Sequence, residues 1–153
     1  GDPFASRTLQ ENILSLSKHR IPMLGICLGY QLMALAFGAR TLKMRFGHHG
    51  VNHPVQDIPT KQVFITSQNH GFAVDEKSLP SCLEKTHISL FDKSLQGLKH
   101  NVLPISGFQG HPEAGPGPND ASFLFQDFVN LMMTYKEYTP AHASKAHPVF
   151  ESI

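Results

Sequence analysis

The stretch Ile21-Pro22-Met23-Leu24-Gly25-Ile26-Cys27-Leu28-Gly29-Tyr30-Gln31 decides the fold of this chain. It opens with a short apolar run that predicts a buried strand over Ile21 to Ile26, and the run from Leu32 to Phe37 predicts a helix. Cys27 therefore stands at a sharp turn from strand into helix, and the glycine two residues to either side of it keeps that turn free of side chains. This is the arrangement of a nucleophile elbow, with cysteine in place of serine.

The position of Cys27 favours a reactive thiol. A thiol at a helix N-terminus lies at the positive end of the helix dipole, which favours the thiolate that attacks carbonyl carbons. An arbitrary free cysteine is more often a buried structural thiol. The strand-to-helix context and a downstream His111-Pro112-Glu113 favour the catalytic interpretation. Histidine is the usual base for a thiol and a carboxylate can orient the imidazole, so the pattern predicts a Cys27-His111-Glu113 triad.

Composition excludes several classes of protein. The chain has 153 residues, of which 41% are hydrophobic and 16% charged, with a net charge of +1, and this is typical of one globular domain. Such a balance gives no electrostatic support for binding nucleic acid or a membrane surface. No apolar stretch approaches the roughly 20 residues of a membrane-spanning helix. Two cysteines, Cys27 and Cys82, form no disulfide framework, so we expect a cytoplasmic, reducing compartment.

The order of the elements predicts an α/β fold. Phe4 to Lys18 has the period of an amphipathic helix whose last turn carries cations, and the strand from Ile21 to Ile26 is expected to be parallel to its neighbours. Residues 40–109 contain strand-like runs that predict a strand-rich, partly antiparallel layer, and Thr41 to Phe46 alternates like a half-buried strand. A last helix is predicted from Ala121 to Tyr135. We expect residues 1–137 to form the domain and residues 138–153 a mobile tail.

Three longer motifs carry a resemblance to a known family. Gly25 to Gln31 together with His111-Pro112-Glu113 resembles the class I (triad) glutamine amidotransferases. The segments Lys43 to Val55, Thr66 to Asp75 and Gln109 to Pro118 resemble the small subunit of carbamoyl-phosphate synthase. The resemblance covers about Gly1 to Tyr135. It implies a flavodoxin-like mixed sheet with flanking helices.

The resemblance also implies a reaction. Cys27 would attack the side-chain amide of glutamine, His111 would transfer the proton to the leaving ammonia, and Glu113 would orient His111. A glutamyl thioester on Cys27 would then be hydrolysed to glutamate. In the family the ammonia passes to a large synthetase subunit, which uses ATP and bicarbonate, so no cofactor is expected in this chain. The backbone N–H of Leu28 is expected to hold the oxyanion. The same resemblance implies further glutamine contacts at Gly1, Gln31, Asn69, Gly71 and Phe72.

Other interpretations stay open. Gly1-Asp2-Pro3 matches only the last part of the family's oxyanion loop, so we expect an amidotransferase domain whose N-terminal part is missing, with an unpaired edge in its sheet. Such a chain could be a non-catalytic module that only docks on a synthetase subunit, or a related Cys-dependent γ-glutamyl hydrolase. A metal site is a weaker alternative, suggested by His48, His49 and His53. His70 is interpreted as a structural histidine beside a substrate loop.

Overall fold

A computed structural model of the chain describes residues 7–111 and 149–150. Three predictions fall outside these residues: the helix from Ala121 to Tyr135, the glutamine contact of Gly1, and the triad carboxylate of Glu113. The domain boundary at residue 137 also lies outside them and stays a prediction.

The described strands form one mixed sheet. Its seven strands lie in the order β3-β2-β4-β5-β6-β1-β7. Their bounds are Met23–Ile26 (β1), Thr41–Asp57 (β2), Val63–Val74 (β3), Leu83–Ser89 (β4), Leu95–His100 (β5), Ile105–Phe108 (β6) and Val149–Phe150 (β7). The middle strands pair in antiparallel fashion and β1 pairs in parallel with both of its neighbours. The predicted α/β class with a mixed sheet is thus confirmed, and the strand-rich section continues the sheet of β1.

Two α-helices are described, α1 over Arg7–Ser17 and α2 over Leu28–Ala36. Both contribute to the main hydrophobic core, in which Ile13 of α1 and Tyr30 and Met33 of α2 are buried with Met23, Leu98 and Ile105 of the sheet. The sequence predicted cations in the last turn of this helix. Helix α1 instead ends at Ser17, and Lys18, His19 and Arg20 follow it. Ser17 closes the helix by donating from its hydroxyl to the Leu14 carbonyl at 2.6 Å.

Strand β1 lies between two parallel neighbours. Leu24 aligns with Ser106 of β6 on one side and with Val149 of β7 on the other, and Gly25 aligns with Phe150. The expected unpaired edge beside β1 is therefore wrong at Leu24 and Gly25. Two residues of the predicted tail occupy that position, and their backbone satisfies hydrogen bonds that an open edge would leave to solvent.

Strands β2 and β3 form a long antiparallel hairpin. It runs from the pair Thr41–Val74 to the pair Gln56–Val63, with irregular register after Lys43 and after Gly50. The predicted alternation over Thr41 to Phe46 is wrong as a burial pattern, because Phe46 is 83% exposed and Leu42 is also exposed. His70, which the sequence places beside a substrate loop, instead lies within strand β3. Three of the predicted glutamine contacts, Asn69, Gly71 and Phe72, lie on the same strand.

Candidate active site

Cys27 occupies a strained turn between β1 and α2, as predicted. Its φ is 52° and its ψ is −108°, an uncommon backbone conformation for a residue with a side chain. The Cys27 N–H donates to the Phe108 carbonyl at 2.9 Å, while its carbonyl accepts from the Gln31 N–H at 3.1 Å. The first bond holds the turn against β6, and the second is the first hydrogen bond of helix α2. Strain of this kind persists where surrounding structure enforces it, and it is frequent at active sites.

Gly25 shows why the turn needs glycine. A Cβ built on Gly25 would lie 2.7 Å from the carbonyl oxygen of Gly29 and 2.9 Å from the backbone nitrogen of Tyr30. These are backbone atoms of α2, which cannot swing away as a flexible side chain could. The first turn of the helix therefore packs directly on the strand, and this close approach sets the direction in which Cys27 leaves β1.

Cys27 is buried among apolar side chains. It is 5% exposed and is clustered with Leu24, Ile26, Val55, Phe64 and Phe108. Leu28, the predicted oxyanion donor, is the first residue of α2. The first N–H groups of a helix have no acceptor within the helix, so they are suited to hold a developing negative charge. The location of Leu28 agrees with its predicted role, which itself stays a prediction.

A chain of two buried amides joins the cysteine to β3. Gln109 Nε2 donates to Cys27 Sγ at 3.7 Å. Gln31 Nε2 donates to Gln109 Oε1 at 2.9 Å and to the Phe72 carbonyl at 2.8 Å. Gln31 and Phe72, both predicted to contact glutamine, are thus in direct contact with each other and are linked to Cys27 through Gln109.

The other predicted glutamine contacts lie on the same strand. Asn69 is exposed, and its Oδ1 accepts from Nδ1 of His49 at 2.8 Å. Gly71 is half-buried, and a Cβ built there would have no heavy atom within 4 Å beyond its chain neighbours. The space beside the Gly71 backbone is therefore open. The predicted substrate segment consequently presents an exposed amide and an accessible backbone, while Phe72 is fixed by Gln31.

The backbone of His111 is placed next to β3. Its N–H donates to the Ser67 carbonyl at 2.9 Å, forming an isolated antiparallel bridge. His111 lies three residues after Phe108, and the Phe108 carbonyl accepts the hydrogen bond from the Cys27 N–H. Three residues span at most about 11 Å, so the chain keeps His111 in the neighbourhood of the elbow. Its pairing with the thiol and with Glu113 stays a prediction.

A buried histidine cluster adjoins the amide chain. His48 Nε2 lies 2.7 Å from Asp92 Oδ2, and His48 Nδ1 lies 3.3 Å from His70 Nε2. His70 Nδ1 donates to the Phe72 carbonyl at 2.8 Å, the same oxygen that accepts from Gln31. A carbonyl oxygen has two lone pairs and can accept both bonds. The cluster and the amide chain therefore meet at Phe72, and His70 has a structural role there, although on a strand.

Burial controls the charge of this cluster. Desolvation lowers the pKa of His70 to about 4, with the charge of His48 acting in the same direction. Desolvation likewise lowers the pKa of His53 to about 4. Burial tends to raise the pKa of Asp92, but hydrogen bonds from Ser94 and His48 outweigh it and hold that pKa at about 2. His70 and His53 are thus neutral at pH 7, beside an ionised Asp92.

The histidines that suggested a metal are used differently. His53 Nε2 is 2.8 Å from the Ser89 hydroxyl, and His49 contacts Asn69. Within residues 7–111 and 149–150, no group of three or more His, Cys, Asp or Glu side chains is arranged to hold a metal ion. In the same part of the chain, no helix is long and apolar enough to cross a membrane.

Gln109 is a buried residue beside Cys27 to which the sequence assigns no role. This residue belongs to the quoted motif Gln109-Gly110-His111-Pro112-Glu113, yet no role was predicted for it. It is fully buried, and its N–H donates to the Gln96 carbonyl at 2.8 Å. The available signal is its position, since Gln109 directly follows an apolar strand. A polar side chain that is buried there needs hydrogen-bond partners.

Comparison with known proteins identifies the family. The family model described as glutamine amidotransferase class-I matches residues 1–131. The chain therefore belongs to the class-I glutamine amidotransferases.

Curated relatives give a finer likeness. The chain is 62% identical over 116 residues to the carbamoyl phosphate synthase small chain of Yersinia pseudotuberculosis, covering 76% of this chain and 30% of the relative. It is 52% identical over 145 residues to the carbamoyl phosphate synthase small chain of Photorhabdus laumondii, covering 95% of this chain and 38% of the relative. The matched part of the chain thus spans 30% to 38% of the length of these relatives.

Solved structures agree on the fold. A glutamine amidotransferase from Thermotoga maritima matches with a TM-score of 0.61 at 23% identity, covering 91% of this chain and 55% of that chain. At this level of identity the likeness concerns the fold. It supports the overall fold of the chain.

Proposed function

We propose that this chain is the glutamine-hydrolysing part of a carbamoyl-phosphate synthase small chain. One observation carries the proposal: Cys27 is held at a positive φ between β1 and α2 and is joined by two buried amides to β3. The two amides connect this turn to the segment predicted to bind glutamine, and this connection supports the proposal. The type of synthase is supported by the relatives, which are named as small chains of carbamoyl phosphate synthase.

The proposed reaction is acyl transfer through a thioester. The Cys27 thiolate attacks the side-chain amide carbon of glutamine, and the oxyanion is held by the N–H of Leu28 and a backbone N–H near Gly1. His111, oriented by Glu113, protonates the departing ammonia. Water then hydrolyses the glutamyl thioester, releasing glutamate and the free thiol. The three groups act as nucleophile, proton carrier and orienting carboxylate, without a cofactor in this chain.

The proposed partner receives the ammonia. A large synthetase subunit would use it with bicarbonate and ATP to make carbamoyl phosphate, which serves arginine and pyrimidine synthesis. This partner is implied by relatives named as small chains. We also propose a cytoplasmic location, supported by two cysteines that both carry free thiols.

Labelling with a glutamine-like diazoketone tests the proposal. The reagent alkylates a thiol only after it binds as glutamine does, so mass spectrometry should find the adduct on Cys27 and not on Cys82. Excess glutamine should abolish the adduct. Cys27→Ser should remove labelling, and the matched variant Cys82→Ser should leave it unchanged. Activity would then be measured as glutamate release with and without a large synthetase subunit.

Two other outcomes would favour the alternatives. A chain that is folded by circular dichroism yet takes no adduct would contradict the proposal and favour a docking module without catalysis. An adduct protected by γ-glutamyl peptides and not by glutamine would favour a γ-glutamyl hydrolase. Neither alternative needs ammonia transfer to a partner, so stimulation of glutamate release by a large subunit separates both from the proposed function.

A further inference from the structure

The Gln109 side chain is fixed on every polar atom. The residue is fully buried, its Oε1 accepts from Gln31 and its Nε2 donates to Cys27 Sγ. Its backbone is also held, since the N–H donates to the Gln96 carbonyl. A buried amide with partners for both ends has one stable orientation.

The orientation of this amide follows from a backbone group. The Phe72 carbonyl can only accept, so the end of the Gln31 amide that faces it must be the nitrogen. The second hydrogen of that nitrogen is donated to Gln109, which must therefore present its oxygen to Gln31. The Gln109 nitrogen is left to face the sulfur. The Phe72 carbonyl thus determines that a hydrogen-bond donor, and not an acceptor, points at Cys27.

We propose that Gln109 is a positioning residue for the nucleophile. Its amide N–H orients the sulfur of Cys27, and its amide oxygen connects that sulfur through Gln31 to the Phe72 carbonyl of β3. The inference rests on the proposed function only in treating this sulfur as the nucleophile. A donor at the sulfur stabilises the thiolate more than the neutral thiol, because hydrogen bonds to a charged acceptor are the stronger ones. A neutral amide achieves this without adding a charge next to the substrate.

Gln96 offers a matched control. It is also a fully buried glutamine of the same sheet, but its Oε1 accepts from Gln68, and its Nε2 has no partner among the described residues. Gln68 keeps a second acceptor at the Thr66 hydroxyl if Gln96 is changed. Replacing Gln96 therefore disturbs the buried polar layer to a similar degree without touching the sulfur.

The experiment compares Gln109→Met with Gln96→Met in a Cys82→Ser background. The rate of alkylation of Cys27 by iodoacetamide is measured from pH 5 to 10, a reaction that needs no substrate. Gln109→Met should move the midpoint of the pH–rate profile upward by roughly one pH unit, because the thiolate loses its donor. Gln96→Met should move it by less than about 0.3 pH units. Equal shifts in the two variants would overturn the proposal.

A second variant covers the case in which Gln109→Met fails to fold. Gln109→Glu keeps the size and an oxygen for Gln31 but presents a carboxylate oxygen to the sulfur. It should move the midpoint upward by more than about one pH unit, since like charges oppose ionisation. An unchanged midpoint in Gln109→Glu would also overturn the proposal. The diazoketone result is independent: a chain that takes no adduct but shows the Gln109 shift would lose the proposed function and keep this inference.

Discussion

The elbow and the buried polar layer of the sheet are built on opposite principles. The elbow, Met23 to Tyr30, depends on close backbone packing, with Gly25 against Gly29 and an apolar cluster around Cys27. The polar layer, which we define as Gln31, His48, Gln68, His70, Gln96 and Gln109, depends on hydrogen bonds between side chains. The difference teaches that close backbone packing holds the predicted nucleophile, whereas hydrogen bonds between buried side chains hold the predicted substrate strand.

The two regions should therefore respond to different perturbations. A change of volume should damage the elbow, where no atom has room to move. A change of protonation should damage the polar layer, because its buried side chains depend on one another for their hydrogen bonds. Three measurements test this contrast, and they are described from the largest expected effect to the smallest.

Gly25→Ala should have the largest effect. The added Cβ would meet backbone atoms of Gly29 and Tyr30 at 2.7 to 2.9 Å, so the helix must move away from the strand. We expect a loss of about 3 kcal/mol or more in the free energy of unfolding, measured by urea denaturation. Gly71→Ala is the control, because its Cβ would meet no atom within 4 Å, and it should cost less than about 0.5 kcal/mol. Equal losses in both variants would contradict the close-packing account.

Acid should destabilise the chain through its buried histidines, of which His70 belongs to the polar layer. Desolvation lowers the pKa of His53, His70 and His87 to about 4, below the ordinary value of 6.5. The unfolded chain therefore binds more protons than the folded chain between pH 6.5 and pH 4, and stability falls as the pH is lowered through that window. Asp92 stays ionised there, because its pKa is about 2. We expect a loss of roughly 3 kcal/mol in the free energy of unfolding between pH 6.5 and pH 5.5, about 1 kcal/mol for each of the three histidines.

The measurement is a series of urea midpoints taken at half-unit steps of pH. His87→Gln provides the comparison, because His87 Nε2 is buried without a hydrogen-bond partner among the described residues and lies 3.6 Å from Asp57. Removing it should reduce the slope of stability against pH by roughly a third. A flat profile between pH 6.5 and pH 4.5 in the parent chain would rule out neutral buried histidines.

Tyr30→Phe should have the smallest effect, with the opposite sign. Tyr30 is fully buried in the main core, and its hydroxyl has no hydrogen-bond partner among the described residues. Desolvation raises the pKa of this phenol, so the hydroxyl is neutral at every ordinary pH. Removing an unsatisfied hydroxyl should raise the free energy of unfolding by about 1 kcal/mol. A thermal midpoint below that of the parent would show that the hydroxyl has a partner in the folded chain.

The elbow could be predicted from the sequence because its determinants are local. The apolar run of β1, the glycines around Cys27 and the helix-forming run after Gln31 lie within one short segment, and their order alone requires a strand, a turn and a helix. The mixed sheet was predicted for the same reason, from successive strand-like runs. The predictions that failed concern features set by strand pairing: the loop expected beside His70, the burial of Phe46, and the open edge expected beside β1.

The amide chain could not be predicted in this way. Gln31 and Gln109 are 78 residues apart, and their contact exists because β1 and β6 are neighbours in the sheet. A glutamine in a sequence does not reveal whether it is exposed or buried, and only burial makes its partners obligatory. The same holds for His48, which the sequence suggested as a metal ligand, and for His70, which it suggested as a structural histidine. The β2–β3 hairpin brings the two side chains together.

The sequence by itself thus determined the class of fold, the strand-to-helix turn at Cys27 and the family, since each depends on short patterns with a local physical cause. The tertiary structure decided which polar groups face the sulfur, because long-range strand pairing brings Gln109 to Cys27 and Phe72 to Gln31. Hydrogen-bond direction is a property of paired groups, and it is settled only when the sheet has placed both partners.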